Sequence, residues 1–169
     1  DMFDEILKFG SMIVDALREY KQPIFIYIPP KGELRGGAWV VLDSLINQKM
    51  IEMYADPESR GGILEPEGIA EIKYRKPHIL STMERIDEKY RHLKKQATIS
   101  TEANMEFKEY EAKIYPVYQQ IALHFADLHD TPGRMKAKDV IKNIVPWKNS
   151  RSFFYYRMER RLRENHLIT

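Results

Sequence analysis

Apolar side chains at Phe3, Ile6, Leu7, Ile13, Val14 and Leu17 recur three and four residues apart, with Gly10 completing the stripe. That spacing predicts an amphipathic helix over residues 2–20. Lys21-Gln22-Pro23 ends it, because proline disfavours helical geometry in the residue before it. Ile24-Phe25-Ile26-Tyr27-Ile28 then runs without a polar break and is rich in β-branched and aromatic residues. Such a run predicts a strand buried on both faces of a parallel sheet, closed by Pro29-Pro30. Lys31 to Gly37 reads as a loop leading into a helix over Ala38–Leu45. Met50–Tyr54 alternates as a second strand, and Gly61-Gly62-Ile63-Leu64 reads as a loop entering another short one. Glu65-Pro66-Glu67-Gly68 opens a helical turn.

Beyond residue 75 the pattern is helical. Pro77 suits the first turn of a helix running to about Tyr90, and 97–101 is a polar break. Tyr110, Ile114, Val117, Ile121, Phe125 and Leu128 form a long stripe, with Pro116 expected to kink or restart it and Thr131-Pro132-Gly133 to end it. Trp147–Leu167 predicts a last helix carrying Phe153, Phe154, Met158 and Leu162. The reading is therefore an α/β part over about 1–75 and a mostly helical part over about 76–169, with no repeat and no linker between domains.

Composition adjusts this little. At 169 residues the chain can bury a sizeable core, and no window approaches a membrane-spanning length of apolar residues. Cysteine is absent, which excludes disulfides and thiolate zinc sites. The opening Asp-Met-Phe-Asp suggests a piece excised from a longer polypeptide. Net charge is +2, but residues 134–169 carry an excess of +7 and the rest sums to −5. A basic segment can attract phosphate or an acidic partner, or be a solvated helix face. It lacks the spaced aromatics of a nucleic-acid stacking platform.

The candidate chemistry lies first at Arg35-Gly36-Gly37, after a buried strand and before a helix, where ligands sit in open α/β sheets. Two glycines let backbone approach a ligand, and amides there can stabilise an oxyanion. Arg35 can grip a carboxylate, or make a surface ion pair. Lys73-Tyr74-Arg75 is a basic patch suited to phosphate, or a solvated strand edge. Glu65 can be a base or a loop-orienting carboxylate. Dinucleotide, Walker and nucleophile-elbow motifs are missing, no His-x-x-x-His pair suggests a metal, and Ser11, Ser44 and Ser59 lack an evident base. Covalent catalysis by a side chain is not expected.

Several longer strings carry a resemblance. They are Phe3 to Ser11, Lys21-Gln22-Pro23-Ile24, Tyr27-Ile28-Pro29-Pro30, Gly32 to Val41, Glu52 to Asp56, Leu64 to Gly68, Phe125 to Asp130, Phe153-Phe154 and the Arg-Arg-Leu run at 160–162. Together they resemble the C-terminal half of the carboxyltransferase domain of eukaryotic multidomain acetyl-CoA carboxylases. The resemblance implies a crotonase-like (ClpP/crotonase) half-domain of β-β-α units followed by a helical C-terminal extension. It implies a biotin-dependent ligase that transfers a carboxyl group from carboxybiotin to acetyl-CoA, giving malonyl-CoA for fatty acid synthesis in the cytoplasm. Gly36 and Gly37 correspond to the amides that hold a carbonyl oxygen, Lys73 and Arg75 to the coenzyme A contacts, and Ile6, Val40 and Glu65 to pocket-lining positions. Biotin would arrive on a carrier domain elsewhere in the parent enzyme. ATP and Mg or Mn would belong to the parent's biotin carboxylase domain. The site would be completed by the N-half of a second subunit in a homodimer, without nucleic acid, membrane insertion or a metal of its own, and the fragment alone would be inactive. Ala38 stands where relatives commonly have serine, and 90–115 is shorter than in fungal or vertebrate forms. The alternatives are carboxyl transfer to another acyl-CoA, or a non-catalytic interaction or phosphate-binding module.

Overall fold

The computed structural model describes residues 2–168. A wider π-helical stretch over Met2–Leu7 runs into α1 (Lys8–Glu19). There follow β1 (Ile24–Ile28), β2 (Glu33–Arg35), α2 (Gly36–Leu42), β3 (Ile51–Ala55) and β4 (Arg60–Gly62). Four helices come next: α3 (Pro66–Lys73), α4 (Lys76–Ile86), α5 (Glu88–Gln96) and α6 (Thr101–Asp127). The chain closes with α7 (Pro132–Ala137), β5 (Asn143–Ile144) and α8 (Trp147–Ile168). Contacts divide it into two compact units, one from the chain up to Ile63 together with His129 onward, the other from Leu64 to Leu128.

The first unit is the α/β unit. Its main sheet runs β1-β3-β5, all parallel, with Ile24 opposite Ile51, Ile28 opposite Ala55 and Tyr54 opposite Asn143. β2 and β4 form a second parallel pair, Glu33 opposite Arg60 and Arg35 opposite Gly62. The strand buried at every position is the central β3, whereas β1 is only half-buried over Ile24–Tyr27. The reason is order in the sheet: β1 stands at one side of the three strands and β3 between its neighbours. Ile28, Leu34, Met53, Ala55, Met135 and Ile141 make the buried core, with Trp39 and Leu42 of α2 packed against it. Parallel strands buried under helices are what a continuous apolar run supports.

Four expectations for this unit are corrected. Glu33–Arg35, expected as loop, is a strand, because pairing with β4 supplies partners that three isolated residues cannot. Gly61 and Gly62 lie within β4 rather than in a loop before a strand. α2 starts at Gly36, two residues early, and stops at Leu42, where Asp43 turns extended and its side chain accepts from the Leu45 amide. Pro132-Gly133 opens α7 instead of closing a helix, since proline at a first turn has no amide hydrogen to leave unpaired.

The second unit is helical. Ile79, Met83 and Tyr90 form its core, with Phe107, Tyr110 and Ile114 of α6 against them. The helix expected to reach Tyr90 stops at Ile86, because the Asp87 carboxylate caps α5 by accepting from the Tyr90 amide at 2.9 Å. α6 is capped at Ser100 and continues through Pro116 to Asp127. The Tyr90 hydroxyl donates to Glu111 at 2.6 Å, and burial followed by that hydrogen bond pushes its pKa up.

Candidate active site

The turn from β2 into α2 is built on Gly36. Its φ is +24°, a region that side-chain-bearing residues rarely adopt, and its N–H donates to the Ile63 carbonyl at 3.0 Å. A Cβ on Gly36 would stand 3.3 Å from that same oxygen. Gly37 differs, since a Cβ there would meet nothing within 4 Å. As a first-turn residue, Gly37 has no carbonyl four residues back inside the helix for its N–H to meet. Of the two amides expected to hold an oxygen, that of Gly36 is committed to the fold, while at Gly37 the space beside the Cα is open.

Arg35, just before the turn, grips a carboxylate as anticipated, but one of the chain's own. Its guanidinium pairs with Asp130, and its Nε donates to Glu33 at 3.0 Å. The Arg35 side chain is 17% exposed and that of Asp130 5%. Burial alone would lower the Arg35 pKa, and the hydrogen bonds and charges of Asp130 and Glu33 outweigh it and raise it. These contacts favour the ion-pair alternative over a substrate grip for Arg35. Asp130 also fills the space over Gly62, where an added Cβ would lie 2.5 Å from its Oδ1. Ile6, in the π-helical stretch, and Val40, on α2, belong to the same unit and are 66% and 67% exposed.

Lys73, Arg75 and Glu65 belong to the helical unit. Lys73 is the last residue of α3 and Arg75 precedes α4, both exposed at a corner between helices, so the strand-edge alternative for this patch does not apply. Tyr74 between them packs edge-on against Phe125 at 6.0 Å. Glu65 is the exposed N-cap residue of α3, with its side chain making no cap hydrogen bond. Beside Tyr74, a cavity of about 370 Å³ opens between α4 and α6, lined by His78, Arg85, Tyr118 and Phe125 among others.

Two clusters escaped the sequence. Asp130 entered only as the end of the string Phe125 to Asp130, with nothing local to link it to Arg35. Glu52, fully inside β3, accepts from Arg157 at 2.8 Å and from the Tyr54 hydroxyl at 2.5 Å, and lies 3.5 Å from Arg161. Burial would raise the Glu52 pKa, but the hydrogen bonds of Arg157 and Tyr54 and the charges of both arginines hold it below the usual carboxylate range. Asp56, at the end of β3, accepts from the Trp147 amide at 2.8 Å and so caps α8. The Tyr27 hydroxyl donates to the Val145 carbonyl at 2.9 Å, and burial together with Asp56 pushes its pKa up to about 12.

Residues 1–162 match the family model of the carboxyl transferase domain. The chain belongs to the carboxyl transferase domain family. Within it the chain is 60% identical over 174 residues to an acetyl-CoA carboxylase of Dictyostelium discoideum, covering 97% of this chain and 8% of that protein. It is 52% identical over 175 residues to the acetyl-CoA carboxylase of Schizosaccharomyces pombe, covering 99% of this chain and again 8% of the relative. A relative from Saccharomyces cerevisiae, 53% identical over 175 residues, is named as a mitochondrial acetyl-CoA carboxylase. The chain thus spans about one-twelfth of the length of the curated relatives it matches. Among solved structures, transcarboxylase 12S with methylmalonyl-coenzyme A and methylmalonic acid bound superimposes with a TM-score of 0.62 at 12% identity, over 95% of this chain and 24% of that one. The β subunit of Pseudomonas aeruginosa geranyl-CoA carboxylase gives 0.55 at 15% identity, over 92% and 24%. At those identities the likeness speaks for the fold, which is the mixed α/β carboxyltransferase architecture with parallel sheets.

Proposed function

We propose that this chain is the C-terminal subdomain of an acetyl-CoA carboxylase carboxyltransferase. The whole enzyme would transfer a carboxyl group from carboxybiotin to acetyl-CoA, giving malonyl-CoA for fatty acid synthesis. The observation that carries the reading is similarity along almost the whole chain to acetyl-CoA carboxylases of three organisms. The residues present fit a biotin-borne group, because Gly37 leaves open the space that a Cβ would fill. Biotin, held on another domain, supplies the carboxyl group when bound.

The chain's own contribution is electrostatic and positional. The Gly37 N–H donates to a carbonyl oxygen on which negative charge grows, an interaction worth about 3 kcal/mol for a well-aimed donor in a dry site. Gly36 shapes the turn through its positive φ and its bond to Ile63. Lys73 and Arg75, exposed cations at a helix corner, hold coenzyme A phosphates. Ile6 and Val40, exposed on the α/β unit, and Glu65, exposed on the helical unit, are each read as pocket-lining positions, with the opposing wall supplied by the N-half of a partner subunit in a homodimer. ATP and Mg or Mn belong to the biotin carboxylase domain of the same parent enzyme. The cytoplasmic location expected from the resemblance goes with this reading. Fractionation of the full-length protein decides it against the mitochondrial location named for one relative.

The test is Gly37→Val in the full-length carboxylase. The added side chain meets no neighbour within 4 Å of its Cβ, so folding and melting temperature stay as in the wild type. Malonyl-CoA formation should fall by about 10²-fold or more, because the isopropyl group fills the open space beside the turn and keeps the accepting oxygen from the retained Gly37 N–H, a contact worth about 3 kcal/mol. Turnover within twofold of wild type overturns the assignment. Running the wild type with acetyl-, propionyl- and methylcrotonyl-CoA identifies the preferred acyl group, and preference for another sinks the acetyl-CoA part alone.

A further inference from the structure

We infer that Asp130 is a positioning residue for the glycine turn, acting through Arg35, and that its carboxylate sets where the Gly37 amide points. The inference rests on the proposed role of Gly37 and adds a residue 93 positions away in sequence. Two locks meet at this turn. The first is backbone: Gly36 donates to Ile63, continuing the β2–β4 pairing one step past Arg35 and Gly62. The second is the carboxylate of Asp130, laid across the same rung. It ion-pairs with the Arg35 guanidinium and occupies the volume above Gly62, where any side chain would collide with it.

The chemistry explains why the arrangement is directional and not merely adhesive. A guanidinium is a planar fork, so a carboxylate partner fixes its orientation as well as its distance. Glu33 takes the Nε edge and Asp130 takes Nη1, which pins Arg35 from two sides. The peptide between Arg35 and Gly36 is then held by a fixed side chain on one flank and by the Ile63 carbonyl on the other. Glycine has no side chain of its own to hold it, so orientation at Gly36-Gly37 must come from such neighbours. Both glycines opposite, Gly61 and Gly62, sit under side chains from the α7 region: Met135 over Gly61 and Asp130 over Gly62. The segment after His129 thus reaches the turn through one carboxylate.

The experiment uses the full-length carboxylase carrying Asp130→Asn, which keeps size and removes charge, and separately Gly62→Ala, which pushes the carboxylate away without altering its charge. Initial rates are measured against acetyl-CoA, beside Gly37→Val. The expected result for both positioning variants is a kcat lower by about tenfold or more, with KM for acetyl-CoA within twofold of wild type, because Lys73 and Arg75 are untouched. A merely structural pair would change stability and soluble yield but not kcat of the folded enzyme. If Gly37→Val is inactive while the soluble positioning variants turn over normally, this inference fails and the reading of Gly37 survives. If Gly37→Val is also fully active, the reading of the turn itself fails. Should Asp130→Asn not fold, Gly62→Ala alone decides, and wild-type kcat in that variant overturns the inference.

Discussion

Lys73 and Arg75 flank one corner of the chain, Lys73 closing α3 and Arg75 leading α4, with Tyr74 between them packed against Phe125. Two exposed cations thus stand at this corner while the aromatic between them is used for packing. Each is exposed, so a contact with a phosphate is screened by water and worth about 1 kcal/mol rather than the larger value of a dry pair. Replacing both by alanine should raise KM for acetyl-CoA about tenfold to thirtyfold in the full-length enzyme and leave kcat within twofold. Because the side chains carry no packing load, melting temperature should not move. An unaltered KM in steady-state assays would remove coenzyme A from this corner. Tyr74→Ala is the control of opposite kind, since losing its ring opens the contact with Phe125 and should cost stability first.

At the scale of elements, β3 and α8 are joined by charge as well as by the packing of Tyr54 on Phe153 and Phe154. Glu52 accepts from Arg157 and lies near Arg161, and Asp56 caps the first turn of α8 through Trp147. Removing the Glu52 charge takes the carboxylate from Arg157, while Arg161 keeps Glu164, and breaking a buried pair costs about 3–5 kcal/mol, nearer the lower end here because Arg157 keeps some contact with water. Glu52→Gln should thus lower the urea midpoint clearly. The folded pKa of Glu52 is depressed, so its contribution is fully present above the ordinary carboxylate pKa. It is lost as pH falls through the depressed folded value. Tyr27 works in the other direction, raised to about 12, so its contribution is present below the ordinary tyrosine pKa and fades as pH climbs toward 12. Acid titration followed by circular dichroism should show a transition in the wild type that is blunted in Glu52→Gln. Identical acid profiles would contradict the role given to Glu52. None of this pairing was legible in advance, because Glu52 sits in a strand pattern and Arg157 in a basic helix 105 residues later. What the pattern did carry was local. β1 has the bounds its apolar run predicts, since β-branched residues need no distant partner to favour a strand. β2 was invisible because Glu33-Leu34-Arg35 has no period, and its strand character comes from β4. The stop at Asp87 was hidden because Ile79, Met83, Ile86 and Tyr90 keep helical spacing straight across the break. At the site, the Gly36-Gly37 turn was readable from a strand, two glycines and a helix in succession, whereas Asp130 needed the fold to bring it to Arg35.

For the whole molecule the decisive feature is the apolar surface of its first helical stretch. Met2, Phe3, Ile6, Leu7, Phe9, Met12 and Ile13 are all exposed, and no residue of the π-helical segment or α1 is buried. Scattered surface hydrophobics are ordinary, but seven on one short stretch form a patch of the kind that marks an interface. Ile6, proposed above as a pocket-lining position, lies within it, so under that proposal the patch borders the site. Under the proposed function, the occupant of this patch is the N-half of the carboxyltransferase, which lies in the part of such an enzyme that this chain does not span. Prepared alone, the 169-residue chain should bind a hydrophobic dye, elute as an associated species and give no malonyl-CoA decarboxylation. Mixed or co-expressed with the N-half of the carboxyltransferase, it should lose dye binding, enter a defined complex and recover that activity. The two readouts have separate causes, burial of the patch for the first and completion of the site for the second. Arg35 and Gly36 are held by contacts within this chain, so recovery should need only the opposing wall and no refolding of the turn. An isolated chain that is monodisperse, dye-silent and active would refute the division of the site between two halves.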